Sequence, residues 1–246
     1  MKVRAIAVVL FSAAATATIG IATAVPMYAM AQPQPGRNPV VLVHGWTASR
    51  LLPPRDQDFE PLRSALRSDG HSVHLVELPG DANTVNARVI ARTVAAARAE
   101  SAGMKVDLVA HSMGGLSARH FIKYLGGVTR IDHYVSMGTG QYGWLPTCVL
   151  PAHLGGEMCP YSEFLAKLNH GDDTPGTVRY TTLRTVADDE VVHGGKDRTL
   201  DGGVCVVEGI DGGAHIDEPK NETIIALVRR ALDGECPGAF VDLPSR

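Results

Sequence analysis

Along the 246 residues, apolar positions fall into two alternating patterns. Short runs of β-branched and aliphatic residues at 40–43, 73–76, 106–110, 134–137, 178–186 and 204–207 predict strands. The run Val40-Val41-Leu42-Val43 has no polar alternation at all, which suits a strand buried on both faces of a parallel sheet. Between the runs the period changes. Residues 58–69 carry Phe59, Leu62 and Leu66 at helical spacing and stop at Gly70. An Ala-rich helix is predicted from a cap at Asn83 or Thr84 to about Ser101, with Gly103 ending it. Further helices are expected at 113–124, 161–168 and 221–232. Strand and helix alternating in this way predict a single α/β domain with a mostly parallel central sheet flanked by helices, and no internal repeat. Residues 141–160 stand apart, Gly- and Pro-rich with Trp144, Leu145, Leu150 and Leu154 but no period.

The amino terminus adds a compartment to this picture. Lys2 and Arg4 precede an Ala/Val/Ile-rich stretch over residues 5–24, and Ala29-Met30-Ala31 offers a small-x-small cleavage pattern. Residues 1–31 are therefore expected to be a cleaved signal peptide and 32–246 the exported domain. Ala22-Thr23-Ala24 is a second candidate site, and the rival reading is an uncleaved anchor. The Ala and Thr content makes that stretch a weak membrane span. Loss of Lys2 and Arg4 would move the formal charge from −3 to −5. A mildly acidic chain with no basic cluster gives no footprint for nucleic acid as a partner. Cys148, Cys159, Cys205 and Cys236 are an even set in an exported chain and predict disulfides. The pairing expected is Cys148–Cys159, closing a loop above the sheet, and Cys205–Cys236, tying a late strand to the C-terminal end.

The strand at 106–110 runs into Ala110-His111-Ser112-Met113-Gly114, and a helical pattern follows at once. A serine in a sharp strand-to-helix turn is lifted above the end of the sheet, where the first N–H groups of the helix face any anion formed beside it. The positions two before and two after must be small, and they are Ala110 and Gly114. Tyr134-Val135-Ser136-Met137-Gly138 is a near-match, but Tyr134 is too bulky for such a turn.

A serine hydroxyl needs a base, and the base needs an acid to fix its tautomer. On this kind of sheet the acid and then the base follow the nucleophile, each on a loop after a strand. His215 lies in the Gly-rich loop after the strand at 204–207 and before the last helix, which makes it the base; His193 is the rival. Asp188 and Asp189 both follow the strand at 178–186 and point in different directions; Asp189 is taken as the acid, with Glu190 a distant third. The backbone N–H groups of Trp46 and Met113 are the expected oxyanion donors. Trp46, Leu51, Trp144 and Leu145 are candidates for the acyl-binding surface, and His44 is read as structural.

Asn38-Pro39-Val40-Val41-Leu42-Val43-His44-Gly45-Trp46, the Ala110–Gly115 turn, Leu168-Asn169-His170-Gly171-Asp172-Asp173-Thr174-Pro175-Gly176 and Asp189-Glu190-Val191-Val192 together resemble the secreted bacterial class 2 lipases of the α/β-hydrolase superfamily. The resemblance spans roughly residues 38–232. It implies hydrolysis of acylglycerols and simple carboxyl esters, with Ser112 as nucleophile, His215 as base, Trp46 and Met113 as oxyanion donors and Asp189 as acid. Two departures stand out: Ala110 where many relatives have Gly, and the cysteine-bearing segment at 140–160, which the minimal lidless members lack. A short-chain or polyester-degrading esterase is the alternative, and a binding protein on a hydrolase fold the remote one. No cofactor and no metal is indicated, since Asp172 and Asp173 read better as an exposed turn than as a Ca²⁺ site. The expected partner is an ester or lipid substrate, with no protein partner.

Overall fold

The computed structural model describes residues 36–47, 57–191 and 199–245, with the side chains at 189–191 outside that description. The expected signal segment, Leu51 and His193 lie outside the described residues. Among the described residues, seven strands form one sheet in the order β2-β1-β3-β4-β5-β6-β7, comprising β1 (Val40–Val43), β2 (Val73–Val76), β3 (Val106–His111), β4 (Ile131–Met137), β5 (Arg179–Thr185), β6 (Gly202–Ile210) and β7 (Ala239–Leu243). Every neighbouring pair from β2 to β6 is parallel, and β7 alone is antiparallel, on β6. The helices are α1 (Glu60–Ser68), α2 (Asn83–Glu100), α3 (Met113–Tyr124), α4 (Glu163–Leu168), α5 (Val186–Val191) and α6 (Glu222–Leu232).

The unalternating run of β1 has the consequence its sequence predicts. Val41 and Val43 face one core with α2 and α3, whereas Val40 and Leu42 face another with α1 and α6. All four are fully buried. Leu62 and Leu66 of α1 lie in the second core, and Ala87, Ile90, Val94 and Ala97 of α2 in the first. A parallel sheet covered on both faces leaves its strand ends as the open edge. This arrangement is the α/β-hydrolase fold.

Two elements were not in the sequence pattern. The loop expected to carry the acid is the helix α5, and the C-terminal residues add β7 as an edge strand. The disulfides join Cys148 to Cys159 and Cys205 to Cys236, the expected pairing, and the second ties β6 to the chain just before β7. Among the described residues, no helix is long and apolar enough to cross a membrane.

Of Asp172 and Asp173, expected in an exposed turn, Asp172 is exposed but Asp173 is an anchor. Asp173 is buried and pairs with the equally buried Arg119 of α3 at 2.7 Å. Its other oxygen accepts from the Tyr142 hydroxyl at 2.6 Å and from the Asp201 N–H at 3.2 Å. Arg119 also donates to Asn169 Oδ1 at 2.9 Å. The positive charge that balances this carboxylate thus comes from an arginine of the chain. Removing one member of a buried pair leaves the other charge uncompensated. Asp173→Ala should therefore lower unfolding free energy by about 3–5 kcal/mol in chemical denaturation, and Arg119→Ala should fall in the same range. A loss below ~1 kcal/mol for either, the scale of an exposed pair, would contradict this account.

Candidate active site

Ser112, Asp188 and His215 all sit just beyond the carboxyl ends of strands, the edge where open α/β sheets bind ligands. Ser112 links β3 to α3 with φ 55° and ψ −134°, a conformation that a residue with a side chain avoids. The surroundings hold it there. Its N–H donates to Met137 O at 2.9 Å, and its carbonyl accepts from Gly115 N–H at 3.0 Å and from the Thr139 hydroxyl at 2.9 Å.

The need for small residues has a specific source. Val43 of β1 pairs with Ala110 of β3, so the turn after β1 runs beside the serine turn. A Cβ on Gly45 would lie 2.6 Å from Ser112 Cβ, and one on Gly114 would lie 2.4 Å from His44 O. Gly114 is thus kept small by the end of β1 rather than by the other arm of its own turn. His44 holds that turn: its Nδ1–H donates to Gly45 O at 2.9 Å and its Nε2 accepts from Leu78 N–H at 3.1 Å. Its structural reading fits this pair of bonds.

His215 Nε2 is 2.9 Å from Ser112 Oγ, and its Nδ1 is 2.7 Å from Asp188 Oδ1. The tautomer follows, because Nε2 accepts from the hydroxyl and Nδ1–H donates to the carboxylate. The acid beside His215 is Asp188, which corrects the expectation of Asp189. The reason is local. Asp188 N–H donates to Thr185 Oγ1 and Thr185 N–H donates to Asp188 Oδ2, both at 3.2 Å. This reciprocal pair is a capping box that opens α5 and locks the Asp188 side chain over its first turn. Thr185-Val186-Ala187-Asp188 carries that spacing in plain view, and it is the signal that could have separated the two aspartates. Burial works against ionisation of Asp188, but hydrogen bonds from His215 and Glu218, the nearby imidazole and the Thr185 N–H outweigh it. They hold the carboxyl well below the usual range.

Trp46, Met113, Leu116, Trp144, Met158 and Ile216 line a cleft of about 260 Å³ that opens onto Ser112 and His215. Met113 is the first residue of α3, so its N–H has no acceptor within the helix. Trp46 and Trp144 meet edge to face with centroids 6.5 Å apart. Leu145 is not among the lining residues and is 61% exposed. The segment 141–160 forms one wall. Met158 packs with Met113, Leu116 and the α4 residues Phe164, Leu165 and Leu168. Trp46 Nε1–H donates to Leu154 O at 3.1 Å, and Trp144 N–H donates to Met158 O at 2.8 Å.

Two residues beside the relay carried no expectation. His111 stacks on His215 at 4.7 Å between centroids and donates from Nε2 to His215 O at 2.9 Å. Glu218, one turn beyond His215, is fully buried and accepts from the Thr185 hydroxyl at 3.1 Å. Burial, then the adjacent Asp188, pushes its carboxyl up to about 10, against a smaller pull from Thr185. Glu218 is therefore neutral at physiological pH. His111, His215 and Glu218 lie close enough to share a metal ion, as do Asp107, Asp132 and His133. In the first group His215 is spent on Asp188 and Ser112; in the second, Asp107 already bonds His133 at 2.8 Å and Asp132 bonds Arg179 at 2.6 Å. Neither group points to an ion.

Comparison with known proteins agrees with the geometry. Residues 40–156 match the sequence profile of the alpha/beta hydrolase family. Lipase B of Aspergillus fumigatus superposes with a TM-score of 0.64 at 20% identity, over 86% of this chain and 54% of the fungal one. The mature form of a Bacillus licheniformis lipase superposes with a TM-score of 0.62 at 15% identity, over 82% of this chain and 94% of that enzyme. The chain spans about half the length of the fungal lipase and nearly all of the bacterial one. The chain has the α/β-hydrolase fold, and lipases are among the structures it resembles.

The two aspartates differ in a measurable way. Asp188→Asn should lower turnover by roughly 10²–10⁴ with little change in KM. Asp189→Asn should leave it within about threefold, because His215 Nδ1 is already taken up by Asp188. The opposite ranking in ester-hydrolysis kinetics would transfer the role to Asp189.

Proposed function

We propose that the chain is a serine hydrolase of carboxyl esters, with acylglycerols as the substrate class and an acyl-enzyme intermediate. The observation that carries this reading is the unbroken line Ser112 Oγ, His215 Nε2, His215 Nδ1, Asp188 Oδ1, with contacts of 2.9 and 2.7 Å. Ser112 attacks the ester carbonyl while His215 takes its proton. His215 then returns that proton to the departing alcohol, and a water activated by the same imidazole releases the acid. Asp188 keeps the tautomer and balances the imidazolium. The N–H groups of Trp46 and Met113 are the oxyanion donors in this scheme, each worth on the order of 10²–10³ in turnover.

The apolar lining of the cleft favours an acyl arm over a polar substituent. Its volume of about 260 Å³ suits one arm rather than a whole triglyceride. Exposed apolar side chains at Leu145 and Val149 of the wall segment, at Tyr161 just after it and at Ile216 beside His215 support contact with a lipid–water interface. The even pair of disulfides is consistent with an exported protein. Export through the segment 1–31 belongs to this proposal.

A fluorophosphonate or p-nitrophenyl phosphonate ester should form one adduct, on Ser112, and Ser112→Ala should abolish both adduct and turnover. Absence of labelling in the folded protein would remove the enzymatic reading. Emulsified long-chain triglyceride should be hydrolysed alongside soluble short-chain esters. Turnover of the soluble esters alone would reassign the chain to the short-chain esterases.

A further inference from the structure

Behind the line from Ser112 to Asp188 lies a second carboxyl group that the mechanism above does not use. Glu218 is fully buried, and its Oε1 takes the Thr185 hydroxyl at 3.1 Å. Its Oε2 is buried and receives no hydrogen bond from the described groups. His111 Nε2 is 3.3 Å away, but its N–H is directed to His215 O at 2.9 Å. His215 Nδ1 is 3.8 Å away and is spent on Asp188. A buried carboxylate oxygen with no donor is untenable as an anion, because the desolvation cost has nothing to offset it. Asp188 Oδ1 and Glu218 Oε2 lie 2.7 and 3.8 Å from the same His215 Nδ1, so the two carboxyls are neighbours, and a proton on Glu218 removes the conflict and offers Asp188 a donor.

We propose that Glu218 is a positioning residue: as a neutral carboxylic acid it donates a hydrogen bond to Asp188 and fixes that carboxylate against His215 Nδ1. This rests on the hydrolase reading given above. The carboxyl is wedged from every side. Thr185 comes from the end of β5, Asp188 from α5, His111 from the end of β3 and His215 from its own turn. Gly138, at the end of β4, completes the enclosure: a Cβ there would lie 2.3 Å from Glu218 Oε2 and 2.8 Å from the His215 ring. Lys220, the cation on the same turn, is directed to Asp58 and Asp217 instead. Asp188 therefore has three hydrogen-bonding partners that act differently on it. Thr185 fixes it to its helix, His215 takes its charge, and Glu218 holds it without supplying a competing cation.

The sign of the pH effect follows. Below its raised midpoint Glu218 is neutral and the hydrogen bond stands. As pH rises through about 10, the group ionises beside Asp188, the shared proton is lost and two anions face each other. Wild-type kcat/KM on a soluble short-chain ester, corrected for spontaneous hydrolysis, should fall over that range.

Glu218→Gln decides the matter, because the amide can donate to Asp188 and accept from Thr185 but cannot ionise. Its activity at pH 7 should stay within about threefold of wild type, and its alkaline fall should disappear. Glu218→Ala should lose about 10- to 10²-fold in kcat, the cost of a misplaced group, with KM little changed and a matching drop in the rate of phosphonate labelling at Ser112. An alkaline fall of the same midpoint in Glu218→Gln would overturn the proposal. So would full kcat in a folded Glu218→Ala; should that variant fail to fold, the pH profile of Glu218→Gln decides alone. In either case wild-type labelling at Ser112 leaves the hydrolase reading intact, whereas no wild-type labelling removes that reading and the proposal with it.

Discussion

Two backbones touch where β1 ends and α3 begins, and the rest of the site depends on that contact. Gly45 and Gly114 carry no side chain because a Cβ on either would overlap the opposite turn. The register of Val43 with Ala110 sets their approach, so the sheet itself aims the Ser112 hydroxyl. A positive φ at a serine stores about 1–3 kcal/mol of strain. It persists because the Ser112 N–H and C=O are both satisfied in that conformation by Met137, Gly115 and Thr139. The same turn brings the Trp46 and Met113 backbones to the mouth of one cleft.

Buried charge is handled in two opposite ways. Asp173 is balanced by Arg119, and the result is an inert clamp between α3 and the segment 169–173. Asp188 could not be treated so. In the proposed mechanism, a guanidinium against it would supply the positive charge that His215 provides during turnover. A neutral acid at Glu218 satisfies the same lone pair without spending the charge. Polarity without countercharge is what a carboxylate behind an imidazole requires, and a second carboxyl provides it at neutral pH.

Much of this was legible in the residues because it is written locally. The buried run at 40–43, the bounds of α3 and the position of His215 after β6 all follow from spacing over short distances. What escaped was either a competition between local signals or wholly tertiary. Reading residues 187–190 as a loop hid the Thr185–Asp188 capping box, which chooses between the neighbouring aspartates. Glu218 sits in His215-Ile216-Asp217-Glu218-Pro219-Lys220, a run whose polarity suggests solvent; the tertiary packing of that turn buries it. Asp173 was misread as exposed for the same reason, because Arg119 lies 54 residues away. The strand β7 alternates weakly and is mostly exposed, so pairing with β6 rather than a core face defines it.

The segment 141–160 shows how a wall can be built without regular structure. Its short turns are joined by Cys148–Cys159, and Met158 shares a small core with Met113 and Leu116 at the start of α3. It also completes a helix elsewhere. Asn83 was an expected cap for α2, yet its Oδ1 accepts from the buried Ser117 hydroxyl at 2.7 Å. Glu157 caps α2 instead, accepting from the N–H groups of Asn83 and Thr84 and from the Thr84 hydroxyl. Swinging the segment outward would uncover Met113 and Leu116, strand the first N–H groups of α2 and break the bond from Trp46 to Leu154. Those losses fall together, so the segment is part of the cleft's frame.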